Sequence, residues 1–166
     1  YTRGRPREGR DLLELLLDRV TAETPEELRA KALHAFGTLA AYVGDYRQAR
    51  SALESCLAIR RRLGDPSEVA ATLNNLGIVD SEVGDLESPR DLYLESMALK
   101  VAAGDRRGEA GSLANLASVR VELGEYPEAD EAAQASLALS RELDDPADTV
   151  VALQVQAHIA EDRGDL

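Results

Sequence analysis

The chain has no tryptophan, one phenylalanine and one cysteine among 166 residues, and aromatics make up only 4% of it. With so few rings, a core has to be built from interdigitating Leu, Ala and Val, which suits paired helices and leaves no large aromatic-lined pocket. A single cysteine excludes an internal disulfide and points to a reducing, cytoplasmic compartment. No apolar run reaches the roughly 18 residues of a membrane span, and no segment has the build of a signal peptide. The only methionine is Met97, so the chain reads as an excised fragment. Bases are scarce as well: 19 stand against 31 acids, a formal net charge of −12. Long-range electrostatics therefore repel nucleic acid and anionic lipid, and neither is an expected partner.

What the chain does have is a corner that returns. Gly44-Asp45-Tyr46, Gly84-Asp85-Leu86, Gly124-Glu125-Tyr126 and Gly164-Asp165-Leu166 are spaced by 40 residues without drift. Leu33, Leu73, Leu113 and Leu153 keep the same register, as do Ala58, Ala98 and Ala138. A second step follows at Gly64-Asp65, Gly104-Asp105 and Asp144-Asp145. Each unit thus has two turns, and a fixed period of this length means one supersecondary element stacked several times. The apolar positions Val69, Leu73, Leu76 and Val83 sit at helical spacing, so each unit is a helix pair. Asp65-Pro66 and Asp145-Pro146 place a capping oxygen before proline at the first helical position, and Thr24-Pro25-Glu26-Glu27 reads as a capping box.

The spacing Leu73-x2-Leu76-Gly77 with Pro89-x3-Tyr93, and Leu33-x2-Phe36-Gly37 with Ala49-x3-Leu53, resembles the tetratricopeptide (TPR) pattern. Gly37, Gly77, Ala117 and Ala157 fall where two helices must approach closely, and the bulky residue before each fills the space between neighbours. The period exceeds the usual 34, and Leu73 and Asp80 stand where Trp and Tyr are common, so the helices are expected to be lengthened. The run Ala49 to Asp65 with Leu73-Asn74-Asn75-Leu76-Gly77 is similar to the long TPRs of large bacterial ATPase-linked transcriptional regulators and of kinesin light chains. Glu8 to Leu17 resembles the lead-in helix of such arrays.

The resemblance implies an all-α, right-handed α-solenoid. The expected organisation is a leader and N-terminal helix over residues 1–24, then repeats over 25–64, 65–104 and 105–144 and a partial repeat over 145–166. Arg3, Arg5, Arg7 and Arg10 read as a solvated, disordered tail. The last corner should open a further helix, so that end is expected to self-associate, giving a homo-oligomer.

No catalytic constellation assembles. His34 and His158 lie in the first and fourth repeats and lack partners at i+3 or i+4, so no metal set is nominated. Cys56 aligns with Ser96 and Ser136, a slot for small buried side chains. Glycines occur singly at corners and form no phosphate cradle. The reading is a non-enzyme without cofactor.

In TPR arrays the first helix of each pair lines a concave groove, and the resemblance projects this chain's ligand-binding residues there. They are Lys31, His34 and Thr38; then Asn74, Asn75, Ile78 and Glu82; then Asn115, Ser118 and Glu122; and finally Gln154 and His158. Asn75 and Asn115 occupy equivalent positions, similar to the asparagine ladder by which some TPR proteins hold an extended peptide. An amide suits that task because it offers an acceptor and two donors to a backbone whatever its sequence. Lys31 is the one clear cation, too few for a carboxylate clamp on chaperone tails, and Glu82 and Glu122 favour a neutral or basic ligand. The implied function is a protein or peptide interaction module, the sensor of a larger bacterial regulator, with a structural scaffold as the alternative.

Overall fold

A glycine that ends one helix and an aspartate that starts the next set the path of the chain. In the computed structural model, which describes residues 4–163 apart from 22, 86 and 145, Gly44 takes φ 86° and Gly64 φ 75°. These are left-handed conformations that a Cβ disfavours, and they close the preceding helix. The following aspartate then satisfies amides the new helix leaves open. Asp65 accepts from Ser67 N at 3.0 Å and Glu68 N at 3.2 Å, and Asp105 accepts from Gly108 N at 2.9 Å. At the third second-turn corner, Asp144 adopts φ 54° in the place of glycine.

The described residues form eight helices: α1 (Gly4–Leu17), α2 (Glu26–Tyr42), α3 (Tyr46–Leu63), α4 (Pro66–Glu82), α5 (Glu87–Ala103), α6 (Arg106–Glu122), α7 (Tyr126–Glu142) and α8 (Pro146–Arg163). No strand occurs among them, as the helical periodicity predicts. The fold is the all-α, TPR-like helical solenoid. It divides into two compact units, Tyr1–Val83 and Gly84–Leu166. In the first, α2 packs on α1 and α3, α3 on α4, and the two first helices of successive pairs, α2 and α4, also touch. The second repeats that plan, with α6 against α5 and α7, and with α8 against both α7 and α6.

Small residues let these helices close. A Cβ on Gly37 would lie 2.7 Å from Leu53 Cγ and 3.2 Å from Ala49 O, so α2 and α3 meet there only because the side chain is missing. In the second unit Ala117, Val121, Ala129, Ala132, Ala133, Val155 and Ile159 form one cluster, an aliphatic core of Ala, Val and Ile with Leu113 and Tyr126 packed against it. Ala157, by contrast, is exposed.

Two local expectations are corrected. The arginine-rich leader is not a disordered tail: Arg5, Arg7 and Arg10 lie in α1, and Arg10 pairs with Asp45 at 3.5 Å. Arg3 lies outside the described residues. The capping box at Thr24 does not form, because α2 begins after Pro25, with no side-chain cap, and the Thr24 hydroxyl accepts from Thr21 N at 3.1 Å. Asp80, in a slot where TPRs commonly carry an aromatic, is buried and ion-paired with Arg50 at 3.3 Å. Asp145 and the corner Gly164-Asp165-Leu166 lie outside the described residues.

Candidate functional site

Helical spacing puts Thr38, Ala41 and Tyr42 on one side of α2, and Asn75, Ile78 and Glu82 on the side of α4 that faces them. Together with Tyr46 and Leu53 of α3 they line a cleft of about 370 Å³. Four of the projected groove residues, Thr38, Asn75, Ile78 and Glu82, meet in it. The second unit holds a cleft of about 210 Å³ lined by Ser118, Val121, Glu122, Gln154, Val155 and His158. Four more projected residues meet there: Ser118, Glu122, Gln154 and His158. Thr38, Ala41, Tyr42, Asn75 and Ile78 each map, 80 positions on, to a lining residue of this cleft, so the repeat has produced the same hollow twice.

The amide of Asn75 is anchored. Its Nδ2 lies 3.1 Å from His34 Nε2 and 3.1 Å from Thr38 Oγ1, while Thr38 in turn donates to His34 O at 2.9 Å. The His34 pKa is lowered, first by burial and then by the Arg60 cation, with Glu68 opposing. A neutral imidazole accepts at Nε2, so both amide hydrogens of Asn75 are spent inside the protein and Oδ1 remains for an outside donor. The sequence-level picture gave one asparagine both roles; the geometry leaves it the acceptor role.

At the far end of the same cleft, Tyr46 donates its hydroxyl to Glu82 Oε2 at 2.9 Å. That bond to the carboxylate raises the Tyr46 pKa, with burial and the Glu82 charge adding to it. Tyr46 and Leu53 belong to a second helix and were not among the projected residues. The signal was present in the Gly-Asp-Tyr corner, whose tyrosine reads as part of a turn but whose ring lines the cleft.

Of the four other projected residues, His34 backs Asn75 from behind the cleft wall, and three lie apart from these hollows. Lys31 is exposed near the start of α2, in a different cleft shared with Glu27, Arg60, Asp65 and Glu68. Asn74 is half-buried on α4 and Asn115 half-buried on α6.

Between α3 and α4 runs a polar pin that sequence reasoning missed. Arg60, only 5% exposed, donates to Glu68 O at 3.0 Å and Thr72 Oγ1 at 2.7 Å, and its guanidinium pairs with the Glu68 carboxylate. Forty residues on, Lys100 Nζ donates to Ser112 Oγ at 2.8 Å. The small-residue slot is buried at Cys56, Ser96 and Ser136 alike. Cys56 Sγ donates to Ala30 O at 3.2 Å and Ser136 Oγ to Ala110 O at 2.9 Å, the same bond one double repeat apart. Burial pushes the Cys56 thiol pKa up, against the opposing pull of Arg60, so it stays a protonated donor.

A tetratricopeptide repeat signature matches residues 28–101 and 68–142, together well over half of the sequence. The chain belongs to the tetratricopeptide repeat family. Solved structures agree with it in fold. A putative kinesin light chain with nearly identical TPR-like repeats from Podosopora anserina superposes with a TM-score of 0.71 at 17% identity, covering 96% of this chain and 89% of that one. A point variant of that same protein gives 0.71 at 17% identity, with 97% and 90% covered. BtubC (BKLC) from P. vanneervenii gives 0.65 at 16% identity, covering 98% of this TPR chain and 72% of that one. No curated protein matches. TPR repeats in general mediate protein–protein interaction. No described helix of this TPR chain is long and apolar enough to cross a membrane.

Proposed function

We propose that this TPR chain is an interaction module whose first-helix faces, α2 with α4 and α6 with α8, hold an extended, neutral or basic segment of a partner protein. The observation that supports it is the repeated hollow: two clefts in the same register, each gathering four residues projected from the sequence. An extended backbone presents an N–H that the anchored Asn75 Oδ1 accepts without reference to side-chain identity. The glutamates at both clefts disfavour an acidic segment. The 40-residue period supports placement as the sensor part of a larger cytoplasmic regulator, in which occupancy of the helix faces is the signal.

The test is selection of binding heptapeptides from a random display library on the 166-residue chain. Selected peptides should lose about tenfold or more in affinity on combined Asn75→Ala and Ile78→Asp substitution. Substitution of the exposed Glu54 and Ala58 on α3 should leave affinity unchanged. Peptides indifferent to the first pair would sink the reading.

A scaffold role has one observation in its favour: Leu12, Leu15 and Leu16 stand exposed along α1. Sedimentation velocity decides it. Concentration-dependent association that is abolished by Leu12→Lys with Leu16→Lys supports a scaffold, and a monomer at all concentrations removes it.

A further inference from the structure

The α2–α4 cleft differs from its counterpart in one respect that bears on what it accepts. Its floor is apolar, built from Ala41, the fully buried Leu53 and the flank of Ile78. Its rim holds Tyr42, 77% exposed, and its end is closed by Glu82, the one charged group among the described residues that line it. Tyr46 holds Glu82 by one oxygen, Oε2, so the carboxylate is fixed in direction while Oε1 still has both lone pairs to offer. An apolar trough that runs past an exposed aromatic face to an oriented carboxylate matches a long aliphatic stem ending in a cation. In the second unit, Ser118, Val121, Glu122, Val155 and His158 replace Thr38, Ala41, Tyr42, Asn75 and Ile78, so the aromatic rim is gone and the trough contains a histidine.

We propose that the Tyr42–Tyr46–Glu82 cleft is a specificity pocket for a lysine or arginine side chain of the bound segment. The assignment rests on the peptide-holding reading above and adds which residue anchors the peptide. The cation pairs with Glu82 Oε1, its stem lies on Ile78 and Ala41, and the Tyr42 ring covers it. The net charge of −12 on the chain draws such a ligand in from a distance.

The probes are acetyl-Gly-Ala-Xaa-Ala-Gly-amide peptides with Arg, Lys, citrulline, norleucine or Glu at the centre, titrated into the ¹⁵N-labelled chain at millimolar concentration. Arg and Lys peptides are expected to shift the amides of Thr38, Tyr42, Ile78 and Glu82, with the neutral and acidic peptides about tenfold weaker or silent. Glu82→Gln should erase the preference for a charged centre, and Tyr42→Ala should weaken Arg and Lys binding by about two- to fivefold. The ratio of Arg to Lys affinity tells which cation the pocket prefers, planar stacking on Tyr42 favouring Arg. Norleucine or citrulline binding as well as Arg would overturn the cation pocket and leave the peptide wall standing. Silence from every peptide at these amides would overturn the pocket, and display-selected peptides indifferent to Asn75 and Ile78 would overturn the peptide wall as well.

Discussion

His34 shows how one side chain can tie the stability of the wall to pH. Burial and the Arg60 cation depress its pKa below the ordinary 6.5, and it must be neutral to accept from Asn75. The unfolded chain therefore takes up a proton that the folded chain resists. The stabilisation is complete above about pH 6.5 and is lost as pH falls below it. Urea unfolding between about pH 7.5 and pH 5 should show the native chain losing stability faster than His34→Gln, which keeps an acceptor but does not titrate. Parallel curves for the two would refute the role. Gly37 makes a second residue-scale prediction. Gly37→Ala drives a Cβ into Leu53, and should cost about 1–3 kcal/mol in thermal or chemical unfolding, with part recovered when Leu53 is shortened to Val. That close approach was legible in the sequence, because a bulky residue followed by Gly or Ala keeps its register. The Asn75–His34 pair was not, because it joins residues 41 apart through side-chain directions that periodicity does not specify.

At the scale of the element, the aspartates decide where helices begin. Asp65 accepts from two amides of α4, so Asp65→Ala should cost about 1 kcal/mol of stability. Thr24→Ala should cost only a few tenths by the same measure, since Thr24 bonds within its own turn and caps no helix. A cost at Thr24 equal to that at Asp65 would show the capping account to be wrong. Helix existence and order were legible because each corner is written several times at a constant interval, so local ambiguity averages out. Two things escaped. The stretch ahead of Glu8 reads as tail, yet α1, expected from Glu8 to Leu17, begins at Gly4, and Arg10 within it is tied to Asp45. The pin from Arg60 to Thr72, with its counterpart from Lys100 to Ser112, was written in the same 40-residue register but falls outside the apolar pattern. A reading guided by hydrophobic spacing passes over it.

For the whole molecule, the excess of acids over bases sets what approaches it. A basic peptide should bind more weakly as salt rises, most of the loss appearing in the association rate, whereas a neutral one should be nearly indifferent. Stopped-flow association across a salt series checks this, and equal salt dependence for both peptides would refute electrostatic steering. The candidate site was legible at the level of faces: the family pattern says which helices offer side chains, and eight of the projected residues do line two equivalent clefts. It was not legible at the level of hollows, because the walls supplied by Tyr46 and Leu53 come from another helix. If ligands are held on first-helix faces, a display-selected peptide mapped onto the chain by amide chemical-shift perturbation should give its largest shifts at Thr38, Asn75, Ile78 and Glu82, or at their counterparts Ser118, Val155 and His158. Shifts confined to the exposed face of α3 around Glu54 and Ala58, or to α1, would contradict that placement.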